Sequence, residues 1–486
     1  MELLIHGHSC CEVRDDNLSI VCDPWLLGSA YWRSWWNFPE QSSIEELIKI
    51  WSKKDKIYIY LTHLHWDHFH GPSLRALELK LDNITFIIPR TPEKRIYKDL
   101  SKVVKRSSII EINHGKEIQL GLDIKLLSFQ FGPYLTDSAV SIFTKRFCIL
   151  NLNDSKILPV SMSHLLSLIP RPNYVMRSHS SANGRCCYRN RDQNKINYSF
   201  DKDRIEYTKE FLDACTLTGA EYAIPFASNM AHIHKDTFEY NNILNFSDFV
   251  LEDFKKLSYK YKRIKCKLIF PSEKIDLDSN LLYENKLLRQ SLKNKSRIKL
   301  LKDFQNSKDS ILKKQYKLEE SSKLSCKIIC RYFNNIISST PFFLKWIFKD
   351  LIFIESFQKK ERFIFNLDFK NGRTNMVNDF SVRRDTVIVK VPAYVLNDVC
   401  RQKHFNSLGV SKRWEVIMDT DNKIFTLFNL LCIIIETENF LPFRNILKKR
   451  FIGIWFLRYR EIIDLIVYAF WKIILNIKKL ILKNIS

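Results

Sequence analysis

Short apolar runs bounded by turn residues alternate with longer segments of helical apolar spacing through the first half of the chain. "MELLIHG" and "LSIVCDPWLL" read as strands, the second ending at Asp23-Pro24. "SSIEELIKIWSKK" carries a capping box from Ser42 to Glu45, followed by apolar positions at helical intervals. "IYIYL" reads as a buried strand; Gly71-Pro72 closes the loop after it, and proline suits the first turn of the helix predicted through "SLRALELK". "NITFIIP" and "PEKRIYKDLSKVV" repeat the strand and helix pattern. From about 108 to 152 the period shortens to that of strands: "SIIEI", "KEIQLG", "DIKLLSFQF", "SAVSIF" and "FCILNLN". Then come a strand in "PNYVMRS", a helix in "DRIEYTKEFLDACTLTG" and a strand in "EYAIPF". Strands alternating with helices, joined to a run of hairpins, predict an α/β fold of two sheets sandwiched by helices.

Beyond about 245 the texture changes, which divides the chain into domains of 1–245 and 246–486. The second is expected to hold a Lys-rich helical segment at about 284–340, a small α+β module at about 360–420, and an amphipathic helical tail at about 440–486.

Charge sharpens that division. Residues 1–240 hold 30 Lys and Arg against 28 Asp and Glu, whereas 241–486 hold 47 against 25. A basic C-terminal half is open to three readings: solvated faces, an anionic membrane surface, or a nucleic acid. Because the half carrying the chemistry below is nearly neutral, a nucleic-acid partner is not expected. The longest uncharged apolar runs, 424–435 and 465–471, fall short of the ~20 residues of a membrane span. The tail is expected either to dock on the body or to lie on an anionic membrane.

The start, "MELLIHGHSCCEV", lacks a basic segment followed by an apolar core, and the 12 cysteines include the adjacent pairs Cys10-Cys11 and Cys186-Cys187. The expectation is a reducing cytoplasm and free thiols. Neither C-x-H nor C-x-x-H occurs, so no Rieske cluster is expected in this chain.

The densest chemistry is "HLHWDH" at 63–68, directly after a buried strand. In an extended tail, alternate side chains share a side, so His63 and His65 can reach one ion. Asp67 and His68, just past the bend, can reach a second. Imidazole suits zinc or iron, and a carboxylate helps a harder ion compete. Two such ions could share a water and bring its pKa toward neutrality.

With "GHS" at 7–9 and "CDPWLLG" at 22–28, this HxHxDH pattern resembles the metallo-β-lactamase superfamily. Within it, "CDPWLLGSAYWRSWWNFPE" and "IYIYLTHLHWDHFHGPSLRAL" are similar to the metallo-hydrolase-like part of CMP-N-acetylneuraminate hydroxylase, over roughly residues 1–245. The resemblance implies a four-layer αββα sandwich with two divalent metal ions, zinc or iron, at the mouth between its sheets. His63 and His65 would ligate one ion and Asp67 and His68 the other. Asp154, in "LNDSK", would bridge them, and Asp23 would orient a ligand histidine from beneath. Asp67 would also orient the attacking water or take its proton. The family's third histidine is absent from "QFGPYLTD" at 130–137, and its last does not follow "IP" directly; His179, His232 or His234 could complete the site, or each could be an ordinary surface or capping histidine.

The implied activity is iron-dependent oxygenation of the N-acyl group of a nucleotide-sugar in surface-polysaccharide assembly, fed by a separate electron donor. The shared fold equally allows a hydrolase of phosphodiester, ester or lactone bonds, or a non-catalytic protein with a degenerate site.

Overall fold

The protein is described here by a computed structural model that covers residues 1–132, 137–180, 182, 184–191, 204–359, 361–419, 423–437 and 447–485, with side chains in the last helix to Trp471 and at Ile474. Two sheets face each other. In the first, Leu282–Tyr283, Lys274–Asp276, Glu2–Ile5, Cys11–Arg14, Leu18–Cys22, Lys56–Tyr60, Ile84–Pro89 and Ser108–Ile112 lie side by side. In the second the order is Lys265–Cys266, Tyr222–Pro225, Tyr174–Arg177, Cys148–Asn153, Asp137–Phe143, Lys125–Phe131 and Lys116–Gln119.

Strands such as "LSIVC" and "ITFIIP" are buried at every position because both faces are covered. Between the sheets lie Leu3, Ile20, Tyr60, Val140, Ile149 and Met176. Outside the first sheet, helices Ile44–Trp51, Gly71–Lys80 and Arg95–Val103 bury Leu47, Trp51, Leu74, Leu77, Ile96 and Leu100. Outside the second, helices Pro159–Ser167, Arg204–Leu217 and Ser247–Leu257 bury Met162, Leu165, Phe211, Leu212 and Val250. This is the expected αββα order.

Two local expectations shift. The N-cap of the first helix is Ser43, which accepts from Glu46 N at 3.3 Å, one residue beyond the expected Ser42–Glu45 box. Ser42 is already held at the sheet, its amide donating to the His6 carbonyl at 2.8 Å. The sheets also draw on strands up to Tyr283, past the boundary expected at 245: Lys274–Asp276 pairs with Glu2–Ile5, and Lys265–Cys266 with Tyr222–Pro225.

The C-terminal half builds a third sheet of six strands, Tyr188–Asn190, Glu415–Met418, Val387–Pro392, Ile352–Gln358, Glu361–Asp368 and Arg373–Val377. Its edge strand thus comes from the N-terminal half. Helices Cys326–Ser339, Ala393–Gln402 and Ile424–Thr437 cover it. The Trp-rich stretch after Asp23 joins the same core: Trp25, Tyr31, Trp32, Trp35 and Trp36 pack with Phe333, Phe405 and Trp414. Polar tips fix that docking, with Trp32 Nε1 donating to Asp398 at 2.8 Å, Trp35 Nε1 to the Val410 carbonyl at 3.0 Å and Ser34 Oγ to the Ser411 carbonyl at 2.6 Å.

The last helix, Tyr459–Ile485, begins docked. Asp464 accepts from Val160 N at 2.9 Å and Ser161 N at 2.8 Å, occupying free amides at the start of helix Pro159–Ser167. Farther along, Leu465, Ile466, Val467, Phe470 and Trp471 are exposed. Among the described residues no helix is long and apolar enough to cross a membrane.

A buried carboxylate ties the first helix to the sheet. Glu12 accepts from Trp51 Nε1 at 2.9 Å and Arg14 Nε at 2.8 Å, and lies 2.7 Å from His6 Nε2. Burial opposes its ionisation, but the hydrogen bonds and charges of His6 and Arg14 outweigh that and bring its pKa down to about 2. A depressed folded value contributes stability that is complete above the ordinary pKa of about 4.5 and is lost as pH falls toward about 2. Glu12→Gln is therefore expected to cost roughly 3 kcal/mol at pH 7 and to flatten the pH dependence between pH 5 and 2, read by urea unfolding. An unchanged slope would contradict this role.

Candidate metal centre

The chain leaves strand Lys56–Tyr60 through Leu61 and Thr62 and enters the loop carrying His63, His65, Asp67 and His68. What fixes the loop lies beneath it. Asp23 ends strand Leu18–Cys22 in a left-handed conformation, φ 43°, and Asn153 ends the facing strand at φ 53°. Aspartate and asparagine tolerate this region better than most residues. Asp23 accepts from Thr62 N at 2.8 Å, Thr62 Oγ1 at 2.6 Å and Asn153 Nδ2 at 2.6 Å, and its Oδ2 lies 2.8 Å from His68 Nδ1. With Nδ1–H donating to Asp23, His68 presents Nε2 to the cleft.

Five of the residues expected from sequence come together, in two groups whose ligand-type atoms lie within 4.8 Å of one another. One is His63, His65 and Asp154; the other is Asp67, His68 and His8. His63 Nε2 and His65 Nδ1 are 2.8 Å apart. Asp154 Oδ2 lies 4.0 Å from His63 Nε2 and 3.4 Å from His68 Nε2, so one carboxylate reaches toward both groups. Asp67 Oδ2 is 3.3 Å from His68 Nε2 and 3.1 Å from His8 Nε2, while its Oδ1 accepts from Tyr31 OH at 2.5 Å.

The donor set fits a cation. Among the described residues, the ion-pair partners of Asp67 and Asp154 are all histidines. The buried Nε2 of His68 makes no hydrogen bond of good geometry, yet converges with two carboxylates. Burial, then repulsion from His68, pushes His63 down to about 4, and burial also lowers His65, so both are the neutral imidazoles a metal needs. Burial opposes charge on His68, but Asp67, Asp23 and Asp154 overcome it and hold its pKa well above the ordinary range. A proton there balances carboxylates that a metal would otherwise balance.

His8, in the "GHS" turn after strand Glu2–Ile5, is the residue that sequence reasoning missed. In the fold it is packed on Trp25 and Trp35 at 5.6 and 5.7 Å between ring centroids. Asp137 was missed too. It opens strand Asp137–Phe143 at the end of the stretch where the family's third histidine was sought, and it lines the cleft beside His65. Residues 133–136 of that stretch lie outside the described residues.

The other expected candidates sit elsewhere. His179 is buried against Phe211, outside both groups. His232 lies outside both groups, its Nδ1 3.2 Å from Ser34 Oγ and its ring against Trp35 and Tyr240. His234 forms a third such group with Asp236 and Glu319, the latter 3.5 Å away, but the Arg413 guanidinium already pairs with both carboxylates.

The C-terminal half closes over the loop. Asn406 Nδ2 lies 3.3 Å from His65 Nε2, and Trp66 is wedged between Tyr31, Trp32 and His404 at 5.5, 4.9 and 6.0 Å.

No family model matches the chain. Over 190 residues it is 27% identical to a Mycobacterium tuberculosis protein named as a Rieske 2Fe-2S iron-sulfur protein, covering 37% of this chain and 35% of that one. Over 173 residues it is 28% identical to cytidine monophosphate-N-acetylneuraminic acid hydroxylase of Asterias rubens, covering 34% of this chain and 26% of the enzyme. The matched part thus spans 35% or less of these relatives' own length. Among solved structures, isothiocyanate hydrolase from Delia radicum gut bacteria aligns with 57% of this chain and 99% of its own at a TM-score of 0.36 and 13% identity. The chain is similar in sequence to the hydroxylase and, by its own layer order and HxHxDH loop, has the metallo-β-lactamase type of fold.

Asp23→Ala is expected to weaken zinc binding by roughly 10–100-fold in a chelator competition, through loss of His68 orientation. His8→Ala should also weaken it, whereas His232→Ala and His234→Ala should leave zinc stoichiometry unchanged. Loss of an ion in His234→Ala would contradict the assignment.

Proposed function

We propose that the chain is a metal-dependent hydrolase with a two-ion centre. The observation that carries this is Asp154, whose one carboxylate oxygen lies 4.0 Å from His63 and 3.4 Å from His68, between the two groups. When bound, two divalent ions would polarise the substrate and make a shared water a nucleophile near neutral pH.

The chain's own residues divide the remaining work. His63 and His65 with Asp154 would hold one ion; Asp67, His68 and His8 the other. Asp23 holds His68 through Nδ1, so Nε2 is the nitrogen whose proton a metal would replace. Tyr31 fixes Asp67 through Oδ1, leaving Oδ2 aimed at the cleft to orient a water or accept its proton. Burial raises the pKa of Asp137, which lines the cleft beside His65. The cysteines among the described residues are free thiols, most of them buried, which supports a cytoplasmic setting.

A second reading has one specific support, the 28% identity to the hydroxylase of Asterias rubens. It would have the same residues hold iron for oxygenation of the N-acyl group of a sugar or nucleotide-sugar in surface-polysaccharide assembly, with electrons from a separate donor. Metal analysis of purified chain with two assays separates the readings. About two zinc or manganese ions per chain and hydrolysis of generic esters or phosphodiesters, lost by at least ~100-fold in Asp67→Asn, is the expected result. Iron with reductant-dependent oxygen uptake would favour the hydroxylase reading, and no metal would sink both.

The peripheral partner we propose is an anionic membrane, supported by the basic C-terminal half and by exposed Phe470 and Trp471 on the last helix. Sedimentation with phosphatidylserine vesicles is expected to carry the full chain down at low salt, and Phe470→Ser with Trp471→Ser to abolish it. Equal sedimentation of that double variant would contradict the contact.

A further inference from the structure

Two cavities meet at the metal loop, and they differ in kind. The first, about 250 Å³, lies between the loop and the C-terminal half. Its inner end is His63, His65 and Asp137, and its wall includes Leu64, Pro89, Ile96, Leu430 and Ile433. Leu430, 44% exposed, marks the outer end.

Several polar groups on this wall, which also includes Lys403, Thr91 and Thr437, are already engaged. Arg95 donates to Asp99 at 2.7 Å and to the Glu436 carbonyl at 2.7 Å. The Glu436 carboxylate accepts from Tyr332 OH at 2.7 Å and Phe405 N at 2.6 Å. His404 Nδ1 pairs with Ser407 Oγ at 2.7 Å. Burial holds Glu93 up at about 7, so it is only partly ionised near neutrality, and His404 down at about 3, so it is uncharged there. What remains for a ligand is mostly carbon. At about 250 Å³ the cavity also falls below the ~300–1,000 Å³ of pockets that take drug-sized ligands, so it suits a single acyl or aryl group better than a whole nucleotide-sugar.

The second cavity, about 180 Å³, opens on the other side of the loop. It is lined by His8, Asp67, Asp154, Lys156, Ser178 and Ser180, and it shares Asp137 with the first. Lys156 is the cation on that wall and is exposed.

We infer that the substrate is amphiphilic: its acyl, alkyl or aryl group fills the cavity walled by Ile96, Leu430 and Ile433, its polar or anionic head faces Lys156, and the reacting bond lies over Asp137 and Asp154. This rests on the hydrolytic reading of the same centre and names its substrate class. Leu430 and Ile433 of helix Ile424–Thr437 complete the apolar lobe opposite Leu64, Pro89 and Ile96, so specificity would come in part from the C-terminal half.

Alkyl hydroxamates from acetohydroxamate to octanohydroxamate, titrated calorimetrically into the zinc-loaded full chain, test this without relying on turnover. Affinity is expected to rise roughly fourfold per methylene until the cavity is full. Ile433→Trp, which fills the cavity, and Leu430→Asp at its exposed end should each flatten that rise while acetohydroxamate binding persists. Equal affinity for short and long chains, or a length dependence that both variants retain, would overturn the amphiphile assignment and leave the hydrolase reading standing. Failure of every hydroxamate to bind would overturn both.

Discussion

The buried carboxylate of Asp23 is the constraint on which the site depends. A charge without solvent is costly, by several kcal/mol even after relaxation, unless donors converge on it. Here the donors come from the Thr62 amide and hydroxyl and the Asn153 amide, with the His68 ring beside them. Thr62 follows a strand of the first sheet and Asn153 ends a strand of the second. Satisfying one carboxylate therefore fixes the spacing of the sheets at their mouth and turns His68 toward Asp67 and Asp154. Fold and chemistry share a single hydrogen-bond network.

The second dependence runs through tryptophan. The stretch from Trp25 to Trp36 leaves Asp23, crosses the top of the sandwich and is buried in the core of the C-terminal half. Tyr31 within it holds Asp67, and Trp66 of the metal loop stacks on Tyr31. Movement of the C-terminal half would thus be felt at Asp67 through packed aromatic rings. The same half adds Leu430 and Ile433 to the apolar wall beside His63 and His65, so it is part of the site although it carries none of the expected ligands.

Much of this was legible in the sequence because it is local. A buried strand followed by HxHxDH places four side chains within one loop, and Asp154 follows the last residue of a strand, where cleft residues of such sheets sit. Non-local features were not legible. His8 and Asp67 are 59 residues apart and meet only because the loops that carry them leave strands Glu2–Ile5 and Lys56–Tyr60 of the same sheet. His232 and His234 have ligand chemistry, but His232 sits by Ser34 and the carboxylate beside His234 is paired with Arg413, and nothing in a linear pattern reveals those partners. The strand Tyr188–Asn190 pairing with Glu415–Met418 crosses the boundary that composition suggested, because sheet edges are completed by register rather than by charge. The cap at Ser43 moved by one residue because Ser42 was needed at His6.

The central claim is that Asp154 stands between two ion sites built from His63 and His65 on one side and Asp67, His68 and His8 on the other. Anomalous diffraction from crystals of the full chain grown with zinc measures this directly. Two peaks flanking the Asp154 carboxylate, one against each histidine group, are the predicted result. A single peak beside His234, Asp236 and Glu319, or none in the cleft, would contradict it.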